Sequence, residues 1–248
     1  MTSNFKEIFQ QARNLRTVES VCVYVATSLL VLEFVVSRYF MATTVLSIIQ
    51  VVTCIIAVVT VIMNLLSDLF LYQAEEEKRK DLLDNAFGSH LSEYDTNGYY
   101  NNELPKSIRK LAVNNFESSF FTYRILKSGF VAQIVQVLVV LLIFLTVSMT
   151  ADRDVVILLL QLTLPISICV SFVRYCFTYN RVEKIYNNYR TLFDNNQTPR
   201  HADLISNILS YTAALATGRT LLSEKKYKNL NNQLSEEWEG ICKSLKIG

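Results

Sequence analysis

The sequence predicts an all-α, polytopic membrane protein with four transmembrane helices. Four stretches, residues 18–36, 42–66, 131–149 and 155–179, are strongly apolar and carry few charges. A bilayer core of about 30 Å is crossed by a helix of about 20 mainly apolar residues. Only six Gly and three Pro occur in 248 residues, and no useful alternating strand pattern lies outside these stretches. The positive charges, moreover, gather on one side of the predicted spans.

The distribution of Lys and Arg orients the four spans. Three precede the first span, eight lie between the second and third, and eleven lie from Arg174 onward. The two short connections hold one each, Arg38 and Arg153. Because positive residues next to spans resist translocation, both termini and the middle segment are expected in the cytoplasm. The two hairpins then enter the membrane from the same side.

Five segments follow from this division. They are an N-terminal amphipathic helix (1–17), a first transmembrane hairpin (18–66), a cytoplasmic helical segment (67–128), a second hairpin (129–179) and C-terminal cytoplasmic helices (180–248). In the first segment, Phe5, Ile8 and Phe9 fall at helical spacing opposite basic residues. Such a helix can lie on lipid headgroups or pack on the cytoplasmic domain, and the pattern leaves both open.

Glycine, proline and turn residues predict where the cytoplasmic helices begin and end. The signals are a helix end at Gly88, a turn at Asn97-Gly98, a helix start at Pro105 and a helix end at Gly218. Two tail helices are predicted, over residues 202–217 and 220–245. The second carries an apolar seam that includes Leu234 and Trp238 at helical spacing, so it should pack on another helix.

Small and polar residues recur every three or four positions along the second span. The candidate face consists of Ser47, Gln50, Cys54, Ala57, Thr60 and Asn64. Polar groups are costly against lipid, so this face should point to protein or to water. It either packs on a neighbouring helix through close approach and hydrogen bonds, or lines a pore. Four spans cannot enclose a wide conduit, so a pore requires a homo-oligomer.

Glu33 is a further polar residue in the apolar region, near the outer end of the first span. An intramembrane carboxylate is typical of proton or ion relays. Its short distance in sequence from Arg38 favours instead a structural ion pair or snorkelling to the interface.

No pattern in the chain predicts an enzyme. The two histidines, His90 and His201, have no metal-ligand neighbours at suitable spacing, and no nucleophile elbow, phosphate-binding loop or dinucleotide-binding fingerprint occurs. We therefore expect no catalytic residue, no metal and no cofactor. The five cysteines fall in spans or the tail, where disulfides are not expected.

The middle segment resembles a known family. The stretch "QAEEEKRKDLLDNAFG…DTNGYYNNELPKSIRKLAVNNFESSFFTYRILKSG" is similar to bacterial SMODS-associated four-transmembrane effector proteins. The resemblance covers about 60 residues and the order of spans. The corresponding positions are Leu83, Asp84 and Phe87, then Gly98, Tyr99 and Tyr100, then Asn115, Phe116, Glu117 and Ser118.

The resemblance implies an effector of antiphage defence in the bacterial inner membrane. A signal made on infection, such as a cyclic oligonucleotide, or a defence-partner protein, would switch an oligomer into a state that permeabilises the membrane. Ligand phosphates would meet Arg109 and Lys110, bases would stack on Tyr99 or Tyr100, and Asn115 is a further candidate. Attraction of those basic residues to anionic lipid is the competing interpretation. No DNA partner is expected.

A membrane sensor or scaffold is the rival function. Its cytoplasmic helices would recruit a separate effector, and the membrane would stay sealed without that partner.

Overall fold

The computed structural model describes residues 4–40, 43–92, 104–150, 155–194 and 198–247, and for residues 4, 38, 147, 148, 150 and 155–165 it describes the backbone alone. Within these ranges the chain forms six helices and no strand, which confirms the all-α prediction. The helices are α1 (Asn4–Tyr39), α2 (Thr43–Phe87), α3 (Ile108–Thr150), α4 (Val155–Asp194), α5 (His201–Gly218) and α6 (Glu224–Leu245).

Three helices in the described ranges are long and apolar enough to cross a membrane, namely α1, α2 and α3. They indicate a multi-pass membrane protein. The outward face of α2 agrees, since Ile48, Val51 and Val58 are 59%, 59% and 60% exposed. Water would penalise such a continuous aliphatic surface, whereas lipid does not. The fourth predicted span lies on α4 and stays a prediction, as does the side on which the termini lie.

The helices run past the predicted span ends. With 45 residues, α2 is about 68 Å long, more than twice the thickness of a bilayer core. It ends at Phe87, before Gly88, whose φ of 70° is the left-handed conformation that favours glycine. At the other end of the chain, α1 has no break near residue 17. Its sequence contains neither Gly nor Pro, so the predicted amphipathic segment and first span form one helix.

Two predicted helix starts differ from the structure. Pro105 precedes the first turn of α3, which begins at Ile108, because the Ser107 hydroxyl accepts a hydrogen bond from the Lys110 N–H (3.2 Å) and caps the helix there. Likewise α6 begins at Glu224 rather than residue 220, because Ser223 caps it by accepting from the Lys226 N–H. In both places a serine hydroxyl, rather than the proline or glycine signal, determines the first turn.

The chain divides into two compact units. The first comprises Met1–Ile8, Leu71–Phe130 and Arg174–Gly248, and the second comprises Phe9–Phe70 and Val131–Val173. The core of the first unit consists largely of aromatic and aliphatic side chains from α3 to α6, centred on Phe116, Tyr189 and Trp238. The core of the second unit is aliphatic and contains fewer residues. They are Val23, Ala26, Leu30, Val137, Val140 and Ile168.

Gly218 permits a close helix contact within the first unit. It is the last residue of α5, as the sequence predicts, and a Cβ built there would lie 1.8 Å from Thr178 Oγ1. No side chain fits at that separation, so the approach of α5 to α4 requires glycine.

Candidate functional site

A cluster of charged and polar side chains joins α1 to α2 inside the second unit. The Arg16 guanidinium donates to Glu19 Oε2 (2.9 Å) and to Asp68 Oδ1 (3.0 Å). Asn64 Nδ2 donates to the other oxygen of Glu19 at 2.7 Å. We call these four residues the Arg16 cluster. It holds the Arg16 cation between two carboxylates, Glu19 and Asp68, that are 6% and 7% exposed.

Sequence reasoning missed three members of the Arg16 cluster. Only Asn64 was assigned to a polar face, whereas Arg16, Glu19 and Asp68 stood at the ends of predicted spans. A signal was nevertheless present. Arg16 and Glu19 lie three positions apart and Asn64 and Asp68 lie four apart, so each pair shares one face of its helix.

A second contact, which we call the Glu33 pair, joins the same two helices further along. Gln50 Nε2 donates to Glu33 Oε1 at 3.1 Å, and Glu33 is 3% exposed. Fourteen residues separate Glu19 from Glu33 on α1, and fourteen separate Gln50 from Asn64 on α2. The helices therefore keep one antiparallel register over about 21 Å. Fourteen residues correspond to two heptads, or four turns of 3.5 residues each. This spacing is typical of left-handed helix packing.

Ser67 makes a direct contact with the backbone of α1. Its hydroxyl is fully buried and donates to the backbone carbonyl of Ala12 at 3.0 Å. A side chain as short as serine reaches a backbone carbonyl only when the helices approach closely, as small residues allow. Ala12 is itself fully buried, so these two positions fix the separation of α1 and α2.

The predicted polar face of α2 is largely occupied by contacts within the single chain. Gln50 and Asn64 bond to carboxylates of α1. Ala57 and Thr60 are buried, and the Thr60 hydroxyl donates to the Ile56 carbonyl of its own helix. Cys54 is half-buried, and Ser47 is exposed. The packing interpretation therefore describes four of these six positions in one chain, and lining of a pore in an oligomer stays a prediction.

The predicted ligand-binding residues occupy different environments in the first unit. Arg109 is exposed in the first turn of α3, with its guanidinium 5.9 Å from the centre of the Phe193 ring. Lys110 follows it in the same turn, half-buried. Tyr99 and Tyr100 lie outside the described residues. Arg109 and Lys110 thus place positive charge at a helix N-terminus, the end that favours anions.

Asn115 lies in the interior rather than on a surface. It is 1% exposed, and its side-chain oxygen accepts a hydrogen bond from the Tyr189 hydroxyl at 3.1 Å. Burial raises the pKa of Tyr189, so this phenol stays a donor. The next residue, Phe116, is fully buried, with its ring centre 5.3 Å from that of Tyr189 and 5.0 Å from that of Trp238. These two motif residues therefore build the core.

Asp84, from the turn motif, organises the chain after α2. Its carboxylate accepts hydrogen bonds from the Ser89 hydroxyl (2.7 Å) and from the N–H groups of Leu91 (2.8 Å) and Ser92 (2.7 Å). Burial alone would raise the pKa of Asp84, but the hydrogen bonds from Leu91, Ser92 and Ser89 and the nearby charge of His90 together outweigh burial and lower that pKa. Asp84 thus stays ionised and holds the turn, while the neighbouring Phe87 side chain is exposed.

Glu117 is a further motif residue, and its protonation changes near neutral pH. The side chain is half-buried on α3, and its burial raises the pKa of the carboxyl to about 7. The thiol of Cys242 has a pKa of about 11, because of its own burial and then the nearby charges of Glu117 and Glu239. A carboxyl half-protonated at neutral pH makes the stability of this unit depend on pH.

Over the described ranges no group of three or more His, Cys, Asp or Glu side chains could hold a metal ion. The five cysteines are all free thiols. Comparison with known proteins identifies no relative: no family model, no curated protein and no solved structure matches the chain. The resemblance to four-transmembrane effectors stays a prediction.

Proposed function

We propose that this protein is an oligomeric effector of bacterial antiphage defence in the inner membrane, with four spans and cytoplasmic termini. On receiving a cytoplasmic signal, such as a cyclic oligonucleotide, it permeabilises or depolarises the membrane. The observation that carries the proposal is the polar face of α2, which extends across an apolar unit and bonds to two carboxylates of α1.

In the proposed mechanism, the polar side chains of α2 exchange their hydrogen-bond partners on activation. Polar groups in the bilayer core must keep hydrogen-bond partners, and in the single chain α1 supplies them. Separation of α1 from α2 would free Gln50 and Asn64 to meet water and the α2 helices of neighbouring copies. Carboxylates such as Glu19 and Asp68, exposed in this way to a conduit, would favour the passage of cations.

The signal is proposed to act at the start of α3. Exposed Arg109, with Lys110 beside it, offers positive charge at a helix N-terminus, where a phosphate binds well. Tyr99 and Tyr100 complete the proposed site by stacking on bases. Arg109→Glu should abolish the response to the signal without altering the membrane insertion of the protein.

A reversible crosslink between α1 and α2 tests the mechanism. In a cysteine-free background, Ala12→Cys with Ser67→Cys places two thiols at the positions where the Ser67 side chain contacts the Ala12 backbone. Oxidation should abolish triggered collapse of the membrane potential, and a reductant should restore it. Each single-cysteine variant is the matched control, because it cannot form the bridge. Full depolarisation by the crosslinked protein would contradict the proposal.

Dye uptake by cells expressing Gln50→Leu or Asn64→Leu tests whether α2 lines the conduit. Both variants remove a polar group from the face and should reduce uptake. Uptake equal to that of the unmodified protein in both would exclude α2 from the pore. A sensor or scaffold would give a third result: the membrane potential would stay intact in every variant until a separate partner protein is added.

A further inference from the structure

Helix α5 presents an apolar stripe that its own chain leaves exposed. One side of α5 is buried in the first unit through Leu204, Asn207, Tyr211, Ala214 and Gly218. On the other side Ile205 and Leu209 are 42% and 63% exposed. The exposed stripe consists of Ala202, Ile205, Leu209, Ala213 and Ala216. A helix that is apolar on two opposite sides is usually buried on both of those sides.

The stripe is symmetrical in position and complementary in size about Leu209. Ile205 and Ala213 lie four residues to either side of it, and Ala202 and Ala216 lie seven residues to either side. Two such helices packed antiparallel around a two-fold axis at Leu209 would set each Ile205 against Ala213 of the partner subunit. A large side chain then meets a small one twice, as in ridges-into-grooves packing.

The charge pattern of α5 favours a second copy of the chain over a lipid surface. Helices that lie on membranes carry Lys and Arg on their polar face. Between its first and last residues, α5 contains no Lys, Arg or Glu, and Asp203 is its one charged residue. That carboxylate is held by Arg200 at 2.8 Å. Antiparallel helices also bring opposite dipole ends together.

We propose that α5 is a homodimerisation surface, in which two copies of the chain pair antiparallel about Leu209. This inference rests on the proposed assembly into oligomers and names the cytoplasmic surface that joins subunits. A five-residue stripe is smaller than a stable interface between soluble proteins requires. Attachment to one membrane offsets that shortfall, because it raises the effective concentration of the second copy.

Site-specific disulfide formation tests the pairing in full-length protein in native membranes. In a cysteine-free background, Leu209→Cys places two thiols at the symmetry axis, and oxidation should give a crosslinked dimer. Asn232→Cys, exposed on α6, is the matched control and should crosslink several-fold less. Equal crosslinking at both positions, or none at position 209, would overturn the proposal.

Co-expression tests the register. Differently tagged Ile205→Cys and Ala213→Cys chains should crosslink with each other several-fold more than Ile205→Cys chains crosslink among themselves. The reverse order would exclude the antiparallel arrangement. Labelling of position 209 by a lipid-soluble probe, with no dimer, would assign the stripe to the membrane and contradict the proposal.

A size change tests the fit between Ile205 and Ala213. Ala213→Phe adds bulk at an exposed position, so the fold should be retained while crosslinking through Leu209→Cys falls several-fold. Unchanged crosslinking would contradict the predicted contact. Gel mobility reads all three experiments without any signal or permeabilisation, so failure of this surface and failure of the pore mechanism are separate results.

Discussion

The two units bury opposite kinds of side chain. In the first unit aromatic rings fill the centre, and charged groups such as Arg124 and Glu237 pair near its surface. In the second unit the outer surface carries exposed Ile and Val, while Glu19, Glu33 and Asp68 are buried. Water favours the first arrangement and lipid favours the second. Exposure of a side chain therefore has meaning only once the solvent is known.

The comparison predicts that apolar volume determines the stability of the first unit. Phe116→Ala should cost about 4 kcal/mol, because it leaves a cavity among the rings of Tyr189, Phe193 and Trp238. Trp238 is the only tryptophan in the chain, so its fluorescence during thermal unfolding reports on this unit. Phe87→Ala is the control, because the Phe87 side chain is 43% exposed. This substitution should cost less than about 1 kcal/mol. Similar losses in both variants would contradict this view of the core.

In the second unit charge balance should matter more than volume. Arg16→Leu should cost about 3 kcal/mol, because it removes the cation that contacts the buried carboxylates of both Glu19 and Asp68. Glu19→Leu should cost less, since Arg16 keeps its contact with Asp68. Thermal unfolding in bicelles measures both variants. A larger loss for Glu19→Leu than for Arg16→Leu would contradict this role of the Arg16 cation.

Glu117 makes the first unit sensitive to pH. Its pKa is about 7 in the folded protein and near 4.5 when unfolded, so the folded state holds the proton more tightly. The stability that this proton provides is complete below pH 4.5 and is lost as the pH rises through 7. Glu117→Gln should remove this dependence and raise the unfolding free energy at pH 8 by about 3 kcal/mol.

Trp238 fluorescence across that pH range measures the effect. Glu236→Gln, an exposed position on α6, is the matched control and should retain the decline. If Glu117→Gln shows the same decline as the control, the pH dependence has another origin.

The smallest predicted effect concerns the Glu33 pair. Gln50→Leu should cost about 1 kcal/mol, the scale of a hydrogen bond between helices in a membrane. Thr44→Leu, at an exposed position of α2, provides the control and should change unfolding in bicelles little. A loss of several kcal/mol would mean that Gln50 anchors α1 far more strongly than one hydrogen bond to Glu33 can explain.

Local signals in the sequence predict most of the helices but not how they meet. The end of α2 at Gly88, the end of α5 at Gly218 and the apolar seam around Trp238 all follow from short-range chemistry. Asn115 illustrates the limit. A polar residue in a motif suggests a site, and only the packing of α4 reveals that Tyr189 occupies its oxygen.

The Arg16 cluster could not be predicted from the sequence for a related reason. Its members are separated by up to 52 positions, and their contact depends on the antiparallel register of α1 and α2. Periodicity within one helix defines a face, but it does not state which residues of another helix lie opposite. The sequence therefore did not indicate that Arg16, Glu19, Asn64 and Asp68 belong to one network.

The hydrogen bond between Asn64 and Glu19 joins the polar face of α2 to α1, and a double-mutant cycle measures its strength directly. Glu19→Leu, Asn64→Leu and the double variant would be unfolded in bicelles alongside the unmodified protein. We predict a coupling free energy of about 1 kcal/mol between the two positions. Strictly additive losses would show that α1 does not hold the polar face of α2, and would contradict the proposed resting state.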